Sequence, residues 1–252
     1  FSEKTLVESG AVKAAFDALT EAGHTFDKDG AFWLRSTDFG DDKDRVIIRD
    51  NGIPTYFASD IAYHDNKFHR GFETVINIWG ADHHGHVARL KGAMDALGLD
   101  GEHRLDIVLM QLVKLTRGGE VVRMSKRTGK TISLSDLLDE IPVDACRYFF
   151  NAKPDTQMDF DLGLAVREDS ENPIYYIQYA HARVCSLLAQ WGGDAASLNS
   201  VELTPLVSPH ELALSAKLSE FPEIIEAASR ELAPHLVAFY LKDLAALFHS
   251  YY

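Results

Sequence analysis

TVINIWGADHHGHVARLKGAMDALGLDGEHRLDIVLMQLV, residues 74–113, contains two apolar runs separated by a pattern of helical spacing. We predict a buried strand over 74–79, a helix over 84–97 that Gly98 ends, and a second strand over 105–113. A strand, a helix and a strand in succession favour a parallel sheet with a right-handed crossover. Ligands of such sheets bind beyond the carboxyl ends of the strands, so we expect the functional residues there.

The residues before this stretch continue the alternation of helices and strands. Apolar side chains at helical spacing predict a helix over 9–21, and a β-branched run predicts a short strand over 45–49. Pro54 suits the first turn of a further helix that reaches toward Phe68, and Gly71 ends that helix. The first 150 residues therefore predict an α/β domain with a mostly parallel sheet.

The pattern changes after Pro154. Residues 155–171 are acidic, contain glycine and follow no period, whereas 173–191 and 209–252 carry apolar residues at helical spacing. A long connection with Ser, Asn and Pro joins the two helical stretches. We divide the chain into residues 1–150, a connecting segment 151–171 and an all-helical part 172–252.

Positive charge is concentrated in residues 114–130, although the chain carries a formal net charge of −13. Six bases against one acid give this segment a net charge of +5. These residues are Lys114, Arg117, Arg123, Lys126, Arg127 and Lys130, with Glu120 as the acid. A basic loop suits a polyphosphate, because phosphoryl and nucleotidyl transfer need donors where negative charge develops. A solvated hairpin that balances an acidic surface is the alternative interpretation.

The same segment also has a predictable shape. Gly118-Gly119 is typical of a two-residue hairpin turn, and a returning strand follows over 121–124. A polar loop leads from there to Ser133, which together with Asp136 predicts a capping box for a helix over 134–141. The basic side chains therefore lie on a loop between a hairpin and a helix.

Composition limits the class of protein. The 252 residues, 46% hydrophobic and 25% charged, suffice for one large domain or two ordinary ones. Cys146 and Cys185 lack metal-like spacing, and no apolar run has membrane-spanning length, so we expect a cytoplasmic location and no membrane partner. The chain begins at Phe1 without a methionine, and we expect it to be a fragment.

Two small constellations are candidates for binding. Asp82 and three histidines that follow it invite a metal hypothesis, but no His-Glu-x-x-His pattern is present and helix capping or core hydrogen bonding explains histidines equally well. Tyr56 and Asp60 are four residues apart on the predicted helix and share a face. A carboxylate beside a phenol fits a guanidinium, although spacing alone favours an exposed Asp beside a half-buried Tyr.

Four stretches of the chain carry a family resemblance. RMSKR at 123–127 resembles the Lys-Met-Ser-Lys-Ser loop of class I aminoacyl-tRNA synthetases, with Arg at the first basic position. FWLRSTDFGDDKDR at 32–45, WGADHHG at 79–85 and NPIYYIQYAHAR at 172–183 resemble bacterial arginyl-tRNA synthetases. The resemblance covers nearly the whole chain in the family's order. It implies a Rossmann-like parallel-sheet catalytic domain over 1–150, followed by an all-α anticodon-binding helical bundle.

The resemblance also implies a reaction and a site. ATP, with Mg²⁺ as its companion, activates L-arginine to arginyl-adenylate, and the arginyl group passes to tRNA(Arg); we expect a monomer. Lys126 is the implied catalytic residue, because it matches the second Lys of the loop. Glu3, Tyr56, Asp60 and His83 are implied to bind arginine. Gly80, Asp82, His86, Arg123, Met124, Ser125 and Lys126 are implied to bind ATP, and no residue is assigned to a metal.

Two departures keep alternatives open. The family's His-Ile-Gly-His motif is absent, so we expect the fragment to begin downstream of it, and also to stop before the parent's C-terminal end, and the activity of the chain alone is left open. From Asn172 onward the sequence contains four basic and eight acidic residues, and this negative net charge is a weak electrostatic basis for RNA binding. Tyr175, Tyr176 and Tyr179 fit either base stacking or core packing. A different adenylate-forming ligase and a non-catalytic tRNA-binding fragment are the alternatives.

Overall fold

The computed structural model describes residues 1–122, 133–152 and 156–252. The chain forms two compact units, Phe1–Met110 and Gln111–Tyr252. Each unit has its own buried apolar cluster. This division by compactness does not test the three-part division predicted from the sequence, which stays a prediction.

The first unit contains five helices and five strands among its described residues. The helices are α1 (Glu3–Glu8), α2 (Ala11–Glu21), α3 (Tyr56–His69), α4 (Val87–Ala96) and α5 (Gly101–Arg104), with 3₁₀ helices over Ser36–Phe39 and Ala81–His86. The strands are β1 (Thr25–Lys28), β2 (Ala31–Leu34), β3 (Arg45–Ile48), β4 (Val75–Gly80) and β5 (Leu105–Met110). Apolar residues from α2, α3, α4 and the strands form one core.

The predicted strand–helix–strand unit is confirmed, except that its second strand ends at Met110, and Val113 begins a strand of another sheet. β4 and β5 pair in parallel from Val75 opposite Leu105 to Gly80 opposite Met110, and α4 connects them. The helix begins at Val87, three residues later than predicted, because the 3₁₀ helix Ala81–His86 occupies the turn after β4. β4 is buried on one face only, since successive side chains point to opposite faces and Ile78 is 71% exposed. The prediction of a fully buried strand was wrong in that respect.

The first three strands form a separate antiparallel sheet, which the sequence analysis missed except for β3. β1 and β2 are joined at Asp29 and Gly30, and both residues have positive φ, 53° and 77°. A two-residue turn with positive φ at both positions matches the right-handed twist of a hairpin, and Asp-Gly is a preferred sequence for it. The Asp-Gly pair was therefore an available signal that periodicity alone overlooked.

Helix α3 carries the candidate Asp60 and is anchored by its apolar face. Its N-cap is Thr55, so Pro54 lies before the first turn and not in it; Pro54 instead forms an isolated antiparallel bridge with Ile48 of β3. At the other end the helix stops at His69, and Gly71 has the positive φ of 90° expected of a helix-ending glycine. Strand β3 and the core thus fix the start of the helix.

The second unit begins with a three-stranded sheet. Its strands are β6 (Val113–Arg117), β7 (Glu120–Val121) and β8 (Met158–Asp161), in the order β7-β6-β8. Gly118 and Gly119 have φ of 60° and 85° and join β6 to β7, which confirms the predicted hairpin. β8 pairs in parallel with β6 and is followed by α8 (Leu162–Ala165), so the prediction that 155–171 is irregular was wrong. A four-residue strand that alternates buried and exposed side chains is too short for its period to stand out.

The remaining helices lie within the predicted helical stretches, apart from the one over Val143–Ala152, which the sequence analysis did not predict. α6 (Leu134–Glu140) begins with the predicted capping box, in which the Asp136 amide donates to Ser133 Oγ at 3.1 Å and the Ser133 amide donates to Asp136 Oδ2 at 2.9 Å. α7 (Val143–Ala152) follows it. The helical part consists of α9 (Pro173–Trp191), α10 (Pro209–Ser219), α11 (Phe221–Arg230) and α12 (His235–Tyr251), with a 3₁₀ helix over Ala195–Ser200. No helix within the described ranges combines the length and apolar character needed to cross a membrane.

Candidate substrate site

A small acidic cavity lies between α1 and α3 of the first unit. It has a volume of about 180 Å³ and is lined by Phe1, Glu3, Ser59, Asp60 and Tyr63. Glu3 is in the first turn of the six-residue α1, and the other helical residues come from successive turns of α3. Two carboxylates that share one small cavity favour a cationic occupant.

The electrostatics of Asp60 agree with its position in this cavity. Its side chain reaches solvent through the open cavity, yet the surrounding protein atoms raise its pKa above the ordinary value. The negative charge of Glu3 raises the pKa of Asp60 further, whereas the positive charges of Lys67 and His83 lower it. A bound cation would remove much of the cost of keeping both acids ionised.

The aromatic wall of the cavity differs from the prediction. Tyr56 does lie one helical turn before Asp60, but it is 86% exposed and does not line the cavity. Tyr63 lines it instead, and its ring stacks on that of Phe1 with centroids 4.7 Å apart. Tyr63 is three residues after Asp60, so the same helical-spacing argument could have found it.

Behind Asp60, three polar side chains form a hydrogen-bonded network between α3 and β4. His64 and Asn77 are buried; the His64 Nδ1–H donates to the Asp60 carbonyl oxygen at 2.7 Å, and Asn77 Nδ2 donates to His64 Nε2 at 2.7 Å. Lys67 Nζ donates to Asn77 Oδ1 at 3.0 Å and approaches His64 Nε2 at 3.2 Å. Burial lowers the pKa of His64, so the ring is neutral and accepts at Nε2. The sequence analysis missed this network.

The last residue of β4 and the segment after it include four of the predicted site residues. Gly80 ends the strand, and a Cβ at this position would lie only 2.6 Å from Asp82 Oδ1. The His83 Nδ1 atom is 3.0 Å from the same oxygen, and the rings of His83 and His86 have centroids 5.8 Å apart. The described residues include no group of three or more His, Cys, Asp or Glu side chains arranged to hold a metal ion.

His86 is connected to a buried ion-pair cluster. Asp41 accepts two hydrogen bonds from Arg45, both at 2.7 Å, and its Oδ2 lies 3.5 Å from Arg89 Nε. Arg89 Nη1 in turn lies 3.4 Å from His86 Nδ1. Because a guanidinium only donates, His86 Nδ1 must accept and the proton must be on Nε2. Burial and the charge of Arg89 lower the pKa of His86, which favours this neutral form.

The basic loop lies outside the described residues. Arg123, Met124, Ser125 and Lys126 all fall within 123–132, so their predicted contacts with ATP stay predictions. At the base of the hairpin, Lys114 Nζ is 3.3 Å from Asp159 Oδ1, a contact between neighbouring strands β6 and β8.

The second unit contains a cavity with aromatic, basic and acidic residues in its walls. Its volume is about 440 Å³, and its lining includes Tyr175, Tyr179, Arg183 and His249, together with the acids Glu168 and Asp169. The rings of Tyr175 and Tyr179 are nearly parallel with centroids 6.1 Å apart, and the Arg183 guanidinium carbon lies 4.6 Å from the Tyr179 ring centroid. The rings offer flat surfaces on which a nucleobase can stack, whereas the charge of Arg183 is accompanied by two acids.

Comparison with known proteins assigns the family. Residues 5–168, more than half of the chain, match the family model for tRNA synthetases class I (R), catalytic domain. The chain belongs to the class I (R) tRNA synthetase family. Residues 177–252 match the DALR anticodon binding domain. A class I catalytic domain followed by a helical DALR domain confirms both the resemblance noted in the sequence and the predicted fold class.

Individual class I relatives agree with this assignment. The arginine–tRNA ligase of Dechloromonas aromatica (strain RCB) is 55% identical over 253 residues, which are 100% of this chain and 43% of that protein. The arginine–tRNA ligase of Caldanaerobacter subterraneus subsp. tengcongensis is 55% identical over 257 residues, 100% of this chain and 46% of that protein. The chain therefore spans less than half the length of these curated relatives.

Solved synthetase structures share the fold. A Campylobacter jejuni structure named as an arginyl t-RNA synthetase superposes with a TM-score of 0.91 at 40% identity, over 100% of this chain and 55% of that chain. Thermus thermophilus arginyl-tRNA synthetase superposes with a TM-score of 0.82 at 23% identity, over 98% of this chain and 50% of that chain, and this similarity bears on the fold alone.

Proposed function

We propose that the full-length protein is an arginine–tRNA ligase and that the acidic cavity between α1 and α3 receives the side chain of L-arginine. The observation that carries the proposal is the pairing of Glu3 and Asp60 in one small cavity of a class I (R) synthetase chain. Carboxylate oxygens accept the planar fork of a guanidinium in two parallel hydrogen bonds, and the Tyr63 ring offers an apolar wall for the stem. A lysine would leave part of these acceptors unpaired, which supports selection of arginine.

In the proposed reaction the arginine carboxylate attacks the α-phosphorus of ATP. The bond from that phosphorus to the pyrophosphate leaving group breaks, and arginyl-adenylate forms. A hydroxyl of the terminal ribose of tRNA(Arg) then attacks the arginyl carbonyl carbon, and AMP leaves. Gly80, Asp82 and His86 are proposed to contact the nucleotide, with the neutral His86 presenting its Nε2–H. Tyr56 and His83, which do not line the cavity, are also proposed to contact arginine in the full-length protein.

The basic loop is proposed to act on the phosphates. Lys126 is the proposed stabiliser of negative charge during adenylate formation, and Arg123, Met124 and Ser125 are proposed to lie beside the same phosphates. ATP is a substrate in this scheme, and Mg²⁺ is proposed to enter with it, without an assigned protein ligand. The DALR match and the Tyr175–Tyr179–Arg183 cavity support tRNA as the macromolecular substrate. A monomer in the cytoplasm is part of the proposal.

The test is ATP–pyrophosphate exchange by the full-length protein in the presence of tRNA, with and without arginine. Asp60→Asn is expected to raise the KM for arginine by a factor between about 10 and about 150, since a charged hydrogen bond contributes roughly 1.5–3 kcal/mol. Lys126→Ala is expected to lower kcat by about 100-fold to 1,000-fold, the cost of losing one donor to developing charge. Asp65→Asn is the matched control, because Asp65 is on the same helix but contacts His69 and does not line the cavity.

Three results would contradict the proposal. Exchange that does not depend on arginine would indicate another adenylate-forming ligase. RNA binding without any exchange would indicate a tRNA-binding protein. Unchanged kinetics in both Asp60→Asn and Lys126→Ala would remove the assigned residues even if the reaction is the one proposed.

A further inference from the structure

Lys67 occupies an unusual position behind the acidic cavity. Its ammonium donates to Asn77 Oδ1 at 3.0 Å and lies 4.3 Å from the ring centroid of Tyr63, the aromatic wall of the cavity. Asn77 is held in turn by buried His64, whose Nδ1–H donates to the Asp60 carbonyl oxygen. A chain of hydrogen bonds through the buried side chains of Asn77 and His64 therefore connects Lys67 to the main-chain carbonyl group of Asp60.

The ammonium is close enough to affect the cavity and is nevertheless kept out of it. The Lys67 ammonium lies against the Tyr63 ring that lines the cavity, and its positive charge lowers the pKa of Asp60. Among the ion pairs of the described residues, none joins Lys67 to Asp60 or Glu3. Lys67 donates to Asn77 Oδ1 and lies near His64 Nε2, and the acceptor oxygens in the cavity remain available.

We propose that Lys67 is a positioning residue for the guanidinium site: held by Asn77 and His64, it supplies the counter-charge that offsets the paired acids Asp60 and Glu3 without occupying their oxygens. The inference rests on the proposed arginine site and adds to it a residue that touches no substrate. Two carboxylates alone in a small cavity repel each other, and one of them tends to bind a proton. A lysine that paired directly with either acid would compete with the substrate for the same acceptors.

The pH dependence follows from the groups that face Asp60. These are Glu3 from α1, Lys67 from α3 itself and His83 from the 3₁₀ helix after β4. Burial lowers the pKa of Lys67 itself, the charge of Arg70 lowers it further, and the charge of Asp60 raises it. Arginine binding requires ionised Asp60, so affinity falls as the pH drops through the pKa of Asp60. Without Lys67 that pKa is higher, and affinity is lost at a higher pH.

The removal of Lys67 thus has opposite effects at the two ends of the pH range. At about pH 8 both acids are ionised in either protein, and loss of a nearby cation leaves the attraction for arginine unchanged or stronger. At acidic pH the variant holds more of its Asp60 protonated and binds more weakly. A lysine with a purely structural role would weaken binding by a similar factor at every pH.

The experiment measures the dissociation constant of L-arginine for the full-length protein by calorimetry between about pH 5 and pH 8. Lys67→Met is expected to bind L-arginine as tightly as wild type, or more tightly, at pH 8 and more weakly at the acidic end, by a factor that grows as the pH falls. Lys67→Arg keeps the charge and is expected to restore the wild-type profile. Lys67→Gln, which keeps a donor for Asn77, gives the same test if the Met variant does not fold.

Lys91→Met is the matched control for loss of a partly buried ammonium. Lys91 donates to the Glu102 carbonyl oxygen and does not line the cavity. Equal weakening by Lys67→Met and Lys67→Gln at all pH values, with Asp60→Asn still impairing arginine binding, would overturn the inference and leave the arginine site intact. Absence of arginine binding by the wild-type protein would refute the proposed function, and the inference with it.

Discussion

Asp41→Asn tests the buried ion-pair cluster that holds His86. The Asp41 side chain is only 5% exposed and accepts both hydrogen bonds from Arg45 while Arg89 lies alongside. Asparagine has nearly the same shape, but it removes the charge and replaces one acceptor oxygen by a donor that faces a guanidinium. Breaking a buried pair by removing one partner costs about 3–5 kcal/mol, because the remaining charge is left uncompensated.

Asp42→Asn is the neighbouring control. Asp42 also contacts Arg45, but its side chain is 75% exposed. Exposed pairs contribute about 0–1 kcal/mol, because water already solvates both ions. The two substitutions make the same chemical change at adjacent positions, so their difference isolates burial.

The pH dependence has a definite sign. Burial opposes the charge on Asp41, yet the hydrogen bonds from Arg45 outweigh it and hold the pKa of Asp41 well below its ordinary value of 3.8. A carboxyl with a depressed pKa in the folded state stabilises that state above the unfolded pKa, and the contribution is lost as the pH falls toward the folded pKa. The stability difference between wild type and Asp41→Asn is therefore expected to be constant from about pH 5 to 8 and smaller by about 1 kcal/mol at pH 3.

Hydrogen exchange read by mass spectrometry provides the assay. Amides of β3 and α4 are expected to exchange about 100-fold faster or more in Asp41→Asn at pH 7, since 1.4 kcal/mol corresponds to a factor of ten. Thermal unfolding at several pH values measures how the stability difference between wild type and Asp41→Asn decreases toward acidic pH. Equal effects of Asp41→Asn and Asp42→Asn, or a stability difference that grows on acidification, would refute the account of the cluster given above.

Three further predictions concern single residues that fix the local course of the main chain. Gly80→Ala is expected to displace Asp82 and raise the KM for ATP in the exchange assay, whereas Gly85→Ala, where a Cβ meets open space, is expected to match wild type. Ser133→Ala removes one half of a capping box and is expected to cost α6 about 1 kcal/mol, seen as faster amide exchange in that helix alone. Asn172→Ala leaves the carbonyl oxygens of residues 165 and 167 without their buried donor and is expected to destabilise the start of α9 by about 1–3 kcal/mol in unfolding experiments; no change would contradict that role.

The arrangement of the candidate site separates residues that line the cavity from residues that hold them in place. Asp60 and Glu3 line the cavity, while His64 and Asn77 fix the main chain of Asp60 against β4. Similarly, the Arg45–Asp41–Arg89 cluster lies behind His86. Buried polar groups that are hydrogen-bonded keep one geometry, and the proposed guanidinium site needs that constancy.

Local features of the fold were predictable from the sequence because they depend on neighbours along the chain. Gly118-Gly119 defines its hairpin, Ser133 and Asp136 define their capping box, and apolar spacing gave the bounds of α9 as the structure has them. Two elements were missed for different reasons. The Asp29-Gly30 turn was a local signal that periodicity did not use, whereas β8 is too short for its period to be recognised without β6 beside it.

The sequence by itself determined the family and the helical and strand periods, since motifs and turn residues act over a few positions, and the family resemblance pointed to the two acids. Only the tertiary structure decided that Tyr63, and not Tyr56, lines the cavity, and that Lys67 is held behind Asp60 by Asn77 from β4. These facts depend on how far a helix is rotated about its axis and which strand it packs against. Rotation and packing are set by the shared core of α2, α3, α4 and the strands, which join distant parts of the chain.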